Sequence, residues 1–158
     1  MSVAPLIQGF ANPILGSQTI FRDMLDAMAH PGTIRRVDDQ ICGTPESLPR
    51  AAAACLLTLV DYDTPVWLSS EFADIRNWLA FHTGAPLAAS HREARFAVMS
   101  GQSSTPALTD FPLGDDRYPD LSATAIVICA SLEGGRRILV SGAQFLALPR
   151  SVRSVEVG

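Results

Sequence analysis

The chain has 158 residues, 47% of them hydrophobic, and a formal net charge of −4. That suffices for one domain with a real core, while a charged fraction of only 18% fits either surface buried against another chain or simply a compact domain. Acids and arginines interleave, so no basic stripe is available to track a phosphate backbone and nucleic acid is not an expected partner.

Every Lys/Arg position is arginine; the chain contains no lysine. Neither a Schiff base to pyridoxal phosphate nor a P-loop lysine can therefore come from it. The N-terminus MSVAPLIQG has no positive region ahead of an apolar run, and the longest apolar stretch, around Ala51 to Val60, is too short to span a bilayer. Cys42, Cys55 and Cys129 are odd in number and far apart, as reduced packing cysteines in the cytoplasm would be. No membrane association is expected.

Residues 1 to 16 are rich in Pro, Gly and Asn and read as an arm, with Phe10 and Ile14 as its anchors. The run from Gln18 to Gly32 is an amphipathic helix of about four turns: Ile20, Phe21, Met24, Leu25 and Met28 recur at helical spacing. Ser17 is the expected N-cap, and Pro31–Gly32 the stop. Each large side chain the helix buries is worth roughly 1.5–3 kcal/mol, so it is expected to be a wall of the core. Thr33 to Val37 alternates as a short strand, and Cys42 to Pro49 has loop composition.

From Arg50, AAAACLLTLVD is a second helix, apolar nearly all round and hence buried on several sides. Thr64 to Ser69 has strand composition. Glu71 to Thr83 is a third helix, stopped by Gly84 and Pro86. Arg95 to Ser100 is a short strand, and Phe111 to Asp120 an irregular segment. Ser122 to Ala130, a continuous β-branched run, is the best candidate for a central strand. Glu133-Gly134-Gly135 turns a hairpin into Arg137 to Ser141, and Phe145 to Leu148 is a further strand. Strands separated by helices make an α/β sandwich, and the hairpin makes its sheet mixed. No repeat or domain boundary interrupts residues 1–158.

The common local signatures of α/β chemistry, such as Gly-x-Ser-x-Gly, Cys-x-x-Cys and Gly-x-Gly-x-x-Gly, do not occur. His82 lies at a helix end, where a protonated ring is favoured by the helix dipole, but capping or packing is the commoner role of such a residue. His30 reads as a turn residue and His91 as exposed. Asp115, Asp116 and Asp120 with Tyr118 place three carboxylates in one loop, without the spacing of a calcium loop. Arg22 and Asp26, at i and i+4, can pair along the first helix. Arg35-Arg36, Arg136-Arg137 and Arg150/Arg153 are candidate contacts for anions or a partner's acids. No catalytic, cofactor or metal residue is assigned; the candidates for interaction are Arg22, Asp26, His82, Tyr118 and Arg150.

Several segments resemble, in order, the H subunit of the bacterial carbon–phosphorus lyase core complex. They are Gln18, Phe21–Arg22, Leu25–Asp26–Ala27–Met28 and Pro31–Gly32; Leu56–Leu57–Thr58–Leu59 with Asp61, Thr64 and Trp67; Trp78–Leu79 and Phe81–His82–Thr83–Gly84; Gly114, Tyr118–Pro119–Asp120 and Ser122–Ala123–Thr124; and Leu148–Pro149–Arg150. One departure stands out. The family continues from the strand ending Leu-Ser-Gly through a helix and another strand before its terminal Leu-Pro-Arg, whereas here Ser141–Gly142 runs directly into Ala143. Because losing those elements would expose core, the expected reading is a segment absent from the numbering near 142–143.

The resemblance implies an accessory, non-catalytic subunit in organic phosphonate catabolism. Its assembly attaches an alkylphosphonate to the ribose of ATP with displacement of adenine, forming ribose 1-alkylphosphonate 5-triphosphate. It further implies a three-layer sandwich like the large domain of pyridoxal-phosphate-dependent transferases without the cofactor, a homodimer when alone, and docking on the radical-enzyme subunit among the other core subunits. Two other classes compete: a free-standing small-molecule transferase or hydrolase using a cleft near His82 and residues 115–120, and a purely structural oligomer.

Overall fold

A computed structural model describes residues 7–30, 32–37, 43–101 and 106–131, together with the backbone of 136–139 and 154–157. The first helix, α1, runs from Pro13 to Ala29 and begins ahead of the expected Ser17 cap. Asn12 caps it instead, its side-chain oxygen accepting from the Leu15 N–H at 3.1 Å. Pro13 then occupies the first helical position, where its missing N–H costs nothing and its fixed φ suits the helix. Phe10, buried as expected, lies across Gly16, where an added Cβ would sit 2.6 Å from the ring's Cδ1. Glycine inside this helix is thus a packing requirement.

The helix is not the wall of the core that its spacing predicts. Gly16 and Ile20 are buried and Met24 is half-buried, but Phe21, Leu25 and Met28 are exposed, as is Ile14, the other expected anchor. Two apolar stripes share the helix, and among the described residues only one is packed against the rest of the chain. Thr33 to Val37 forms no strand with any described residue, and Ile34 within it is exposed.

Helix α2, Arg50–Leu59, is buried through Ala52, Ala53, Ala54 and Leu56. The small alanines let α1 and the next helix approach closely. Strand β1, Val66–Leu68, follows a turn in which the Asp61 carboxylate accepts from the Asp63 N–H and the Thr64 hydroxyl. The expected third helix is split. Ser70–Ile75 is a 3₁₀ segment broken at Phe72, and α3, Arg76–Thr83, continues from it to Gly84 in the left-handed region at φ 72°.

Strands β2, Phe96–Ser100, and β3, Thr124–Ile128, complete a three-stranded sheet of order β1-β2-β3. Every pairing is parallel, with Val66 opposite Phe96 and Val98 opposite Ile126. The described sheet is therefore not mixed. Strand β4, Arg136–Leu139, pairs antiparallel with β5, Ser154–Val157, in a separate two-stranded sheet, rather than folding back on β3. Nor is β3 central among the described strands: it lies at one side of the sheet, with Val127 43% exposed.

The period of two explains both packing clusters. Val66, Leu68, Phe96, Val98, Ile126 and Ile128 face the helices and join Ile20, Leu56, Ile75 and Leu79 in the main core. Trp67, Ala97 and Met99 face the other way, where Phe111, Ala94, Ala88 and Ala123 cover them. Three α-helices thus lie on one face, and turns and irregular chain lie on the other. The fold is α/β. The Phe145–Leu148 strand and the Gly142–Ala143 junction fall outside the described residues.

Candidate functional site

The strands begin at one end of the sheet, and there the chain forms a cavity of about 350 Å³ lined by Asp63, Thr64, Arg95, Phe96, Asp120, Ser122 and Thr124. The topology assembles it: Asp63 and Thr64 precede β1, Arg95 precedes β2, and Asp120 and Ser122 precede β3. The Arg95 backbone N–H is fixed to the Pro65 carbonyl at 2.8 Å, and its guanidinium reaches the Asp120 carbonyl at 3.5 Å. One guanidinium therefore shares a polar hollow with two carboxylates and several hydroxyls. Such a hollow suits a ligand with both donors and acceptors. Its hydroxyls already have local partners: Thr64 Oγ1 donates toward Asp61, and Ser122 Oγ donates to the Pro119 carbonyl at 2.8 Å. The lining contains no histidine to activate them.

The loop bearing Tyr118 is built by Asp115. Its carboxylate accepts from the backbone N–H groups of Arg117 at 2.8 Å and Tyr118 at 2.7 Å. Gly114 permits that turn with φ 68°; a Cβ there would meet the Tyr118 carbonyl at 3.0 Å. The Tyr118 side chain is exposed.

His82 is elsewhere. From the last turn of α3 it donates through Nε2 to the Ile7 carbonyl at 2.9 Å, and Trp78 Nε1 donates to the same oxygen at 3.1 Å. The bond to a carbonyl fixes the Nε2–H tautomer. The ring also packs on Trp78 and Phe81. His82 thus clamps the segment leading into α1, and it does not join residues 115–120 in a common cleft. The expected Arg22–Asp26 pair does not form either. Asp26 pairs with Arg35 and with His30 Nδ1 at 3.3 Å, while Arg22 stands exposed with no ion-pair partner among the described residues. Arg150 lies outside the described residues.

The other two histidines compare differently with expectation. His30 is the turn residue predicted, its backbone N–H closing α1 on the Asp26 carbonyl. His91, expected to be exposed, is half-buried against Trp67 and Phe111 at ring-centroid distances of 4.5 and 5.0 Å. Cys55 and Cys129 are free thiols, and burial raises the pKa of Cys55 above its ordinary value. Cys42 lies outside the described residues. Sequence reasoning missed Arg95, Asp63 and Thr124 as neighbours, because no local motif links positions that only the parallel register brings together.

The model of the bacterial phosphonate metabolism protein (PhnH) family matches residues 8–143. The chain belongs to the PhnH family. It is 39% identical over 135 residues to the alpha-D-ribose 1-methylphosphonate 5-triphosphate synthase subunit PhnH of Rhizobium meliloti (strain 1021), an alignment covering 84% of this chain and 67% of that protein. The PhnH match takes in all of α1 and the cavity, and it stops at the position where the sequence departs from the family pattern. Leu148–Pro149–Arg150 lies past it.

No helix among the described residues is long and apolar enough to cross a membrane.

Proposed function

We propose that this chain is an accessory, non-catalytic subunit of the assembly that condenses an alkylphosphonate with ATP. The reaction displaces adenine and leaves ribose 1-alkylphosphonate 5-triphosphate. The observation that carries the reading is the match along most of the chain to a protein named as a subunit of such a synthase. Within it, residues 1–158 act as one α/β domain in the cytoplasm, a homodimer when alone, whose partners in the complex are the other core subunits, the radical enzyme among them. Free Cys55 and Cys129 suit a reducing compartment.

The finer fold proposed is a three-layer sandwich related to the large domain of pyridoxal-phosphate-dependent transferases. Having no lysine, this version has no residue to tether the cofactor. Contact duties then fall to Arg22, Asp26, Tyr118 and Arg150. His82 acts indirectly, by holding the segment that leads into α1.

Co-expression with the other core subunits and affinity capture on one of them tests the proposal. This chain is expected to co-elute in fixed proportion. Its absence from the eluate, while it is present and folded in the lysate, would overturn the assignment. The second reading, a free-standing transferase or hydrolase, has the Arg95–Asp120 cavity in its favour. Turnover of a phosphonate or nucleotide by the isolated chain would select it.

A further inference from the structure

The cavity where the strands begin holds charges of both signs that do not pair with one another. Asp63, Arg95 and Asp120 line it. Among the described residues neither carboxylate forms an ion pair with the Arg95 guanidinium, whose hydrogen bond goes instead to the Asp120 backbone carbonyl at 3.5 Å. The backbone holds this arrangement. Arg95 bonds through its N–H to the Pro65 carbonyl at 2.8 Å, and its own carbonyl accepts from the Thr124 N–H at 2.9 Å, so the leading ends of all three strands brace it. Asp120 is fixed in a turn closed by the Ser122 N–H on the Pro119 carbonyl at 3.2 Å.

We infer that this cavity binds an aminoalkylphosphonate, its phosphonate oxygens on the Arg95 guanidinium and its ammonium between Asp63 and Asp120. The inference rests on the phosphonate reading proposed above and names a substrate class for this site.

Charge and hydrogen-bonding capacity exclude the simpler ligands. With one guanidinium and two carboxylates the lining carries an excess of one negative charge, so a triphosphate or a plain phosphonate meets more repulsion than attraction. The hydroxyl protons that would offset it are committed elsewhere: Thr64 donates toward Asp61, and Ser122 to the Pro119 carbonyl. Thr124 alone among the lining hydroxyls has its proton uncommitted within the described residues. A simple amine would be repelled by Arg95. A divalent cation lacks ligands, because no group of three or more His, Cys, Asp or Glu among the described residues is placed to hold one.

A molecule with an oxyanion at one end and an amine at the other satisfies both sets of groups. The amine is protonated at neutral pH, as that of lysine is, and the oxyanion takes the forked donors of the guanidinium. Phe96, half-buried in the wall, offers apolar surface to the alkyl spacer. A volume of about 350 Å³ lies at the small end of the roughly 300–1,000 Å³ usual for ligand sites, which suits a compact molecule better than a nucleotide. Capture without turnover fits an accessory subunit, since no histidine lines the cavity.

Calorimetric titration of the purified chain with aminoethylphosphonate, ethylphosphonate, ethylamine and β-alanine tests this. Aminoethylphosphonate should bind, and the two single-ended analogues should bind on the order of ten-fold more weakly or worse, the scale of one lost charge-assisted contact. Arg95→Gln should weaken aminoethylphosphonate by a similar factor. Asp63 and Asp120 are exposed, so the double variant Asp63→Asn/Asp120→Asn should keep its circular dichroism spectrum while losing the preference for aminoethylphosphonate over ethylphosphonate. No binding at millimolar concentration, or equal binding of ethylphosphonate by the parent chain, would overturn the inference. β-Alanine bound as tightly would overturn the phosphonate end of it, and a double variant that keeps the preference would overturn the placement of the amine. Co-elution with the core subunits does not depend on any of these results, so a failed ligand leaves the subunit reading to its own test.

Discussion

Replacing Gly16 by alanine separates intrinsic helix preference from packing, because the two point in opposite directions at this residue. On preference alone the change stabilises α1 by about 0.5–1 kcal/mol. A Cβ at this position would lie 2.6, 3.0 and 3.2 Å from Cδ1, Cγ and Cε1 of Phe10, too close for contact. The ring would have to shift from a buried position, and such overpacking typically costs about 1–3 kcal/mol. Gly16→Ala should therefore destabilise by about 0.5–2 kcal/mol. Phe10→Ala, which empties the site, should cost about 3–5 kcal/mol. In that background the second substitution should reverse sign and stabilise by about 0.5–1 kcal/mol. Urea denaturation of the four proteins at one fixed concentration measures the cycle, since any association between chains would contribute to apparent stability. Additive effects, or a parent chain that gains stability from Gly16→Ala, would show that Phe10 does not rest on this glycine.

Three further outcomes follow from the same geometry. Burial raises the Cys55 pKa above 9.0, so the folded state holds its proton where the unfolded state has lost it. The associated stability is complete below the unfolded thiol pKa and declines as pH rises through the folded one; melting temperatures from pH 7.5 to 10 should fall less steeply in Cys55→Ala. Losing the His82 bond to the Ile7 carbonyl should cost roughly 1 kcal/mol and loosen the residues before α1, so His82→Ala should speed hydrogen exchange and proteolysis there and leave the sheet protected. Gly114→Ala forces a left-handed residue against the Tyr118 carbonyl and should destabilise by roughly 1–2 kcal/mol, measured by the same urea titration.

Local signals were legible and non-local ones were not. Helix α2, the Gly84 stop of α3 and strands β1 and β2 were readable because their determinants lie within a few residues of one another. The start of α1 was not, since Ser17 and Asn12 are both competent caps and Pro13 decides between them. The periodicity of α1 read as a single apolar face, whereas Ile20 and Met24 join the core and Phe21, Leu25 and Met28 stay exposed. The run around Ile126 read as a central strand, but its register sends Val127 to a thinly covered face. The candidate site was the least visible part. Asp120 could be flagged in its acidic loop, whereas Arg95 gains meaning only when the parallel register sets it among Asp63, Asp120 and Thr124.

The central claim is that this chain contributes structure and contact surface to a synthase whose bond-making groups lie in its neighbours. Adenine release from ATP and methylphosphonate by the purified core subunits, with and without this chain added in equal amount, measures it most directly. The account predicts full turnover only when the chain is present and none from the chain by itself. Equal turnover without it, or adenine released by the chain unaided, would contradict the claim.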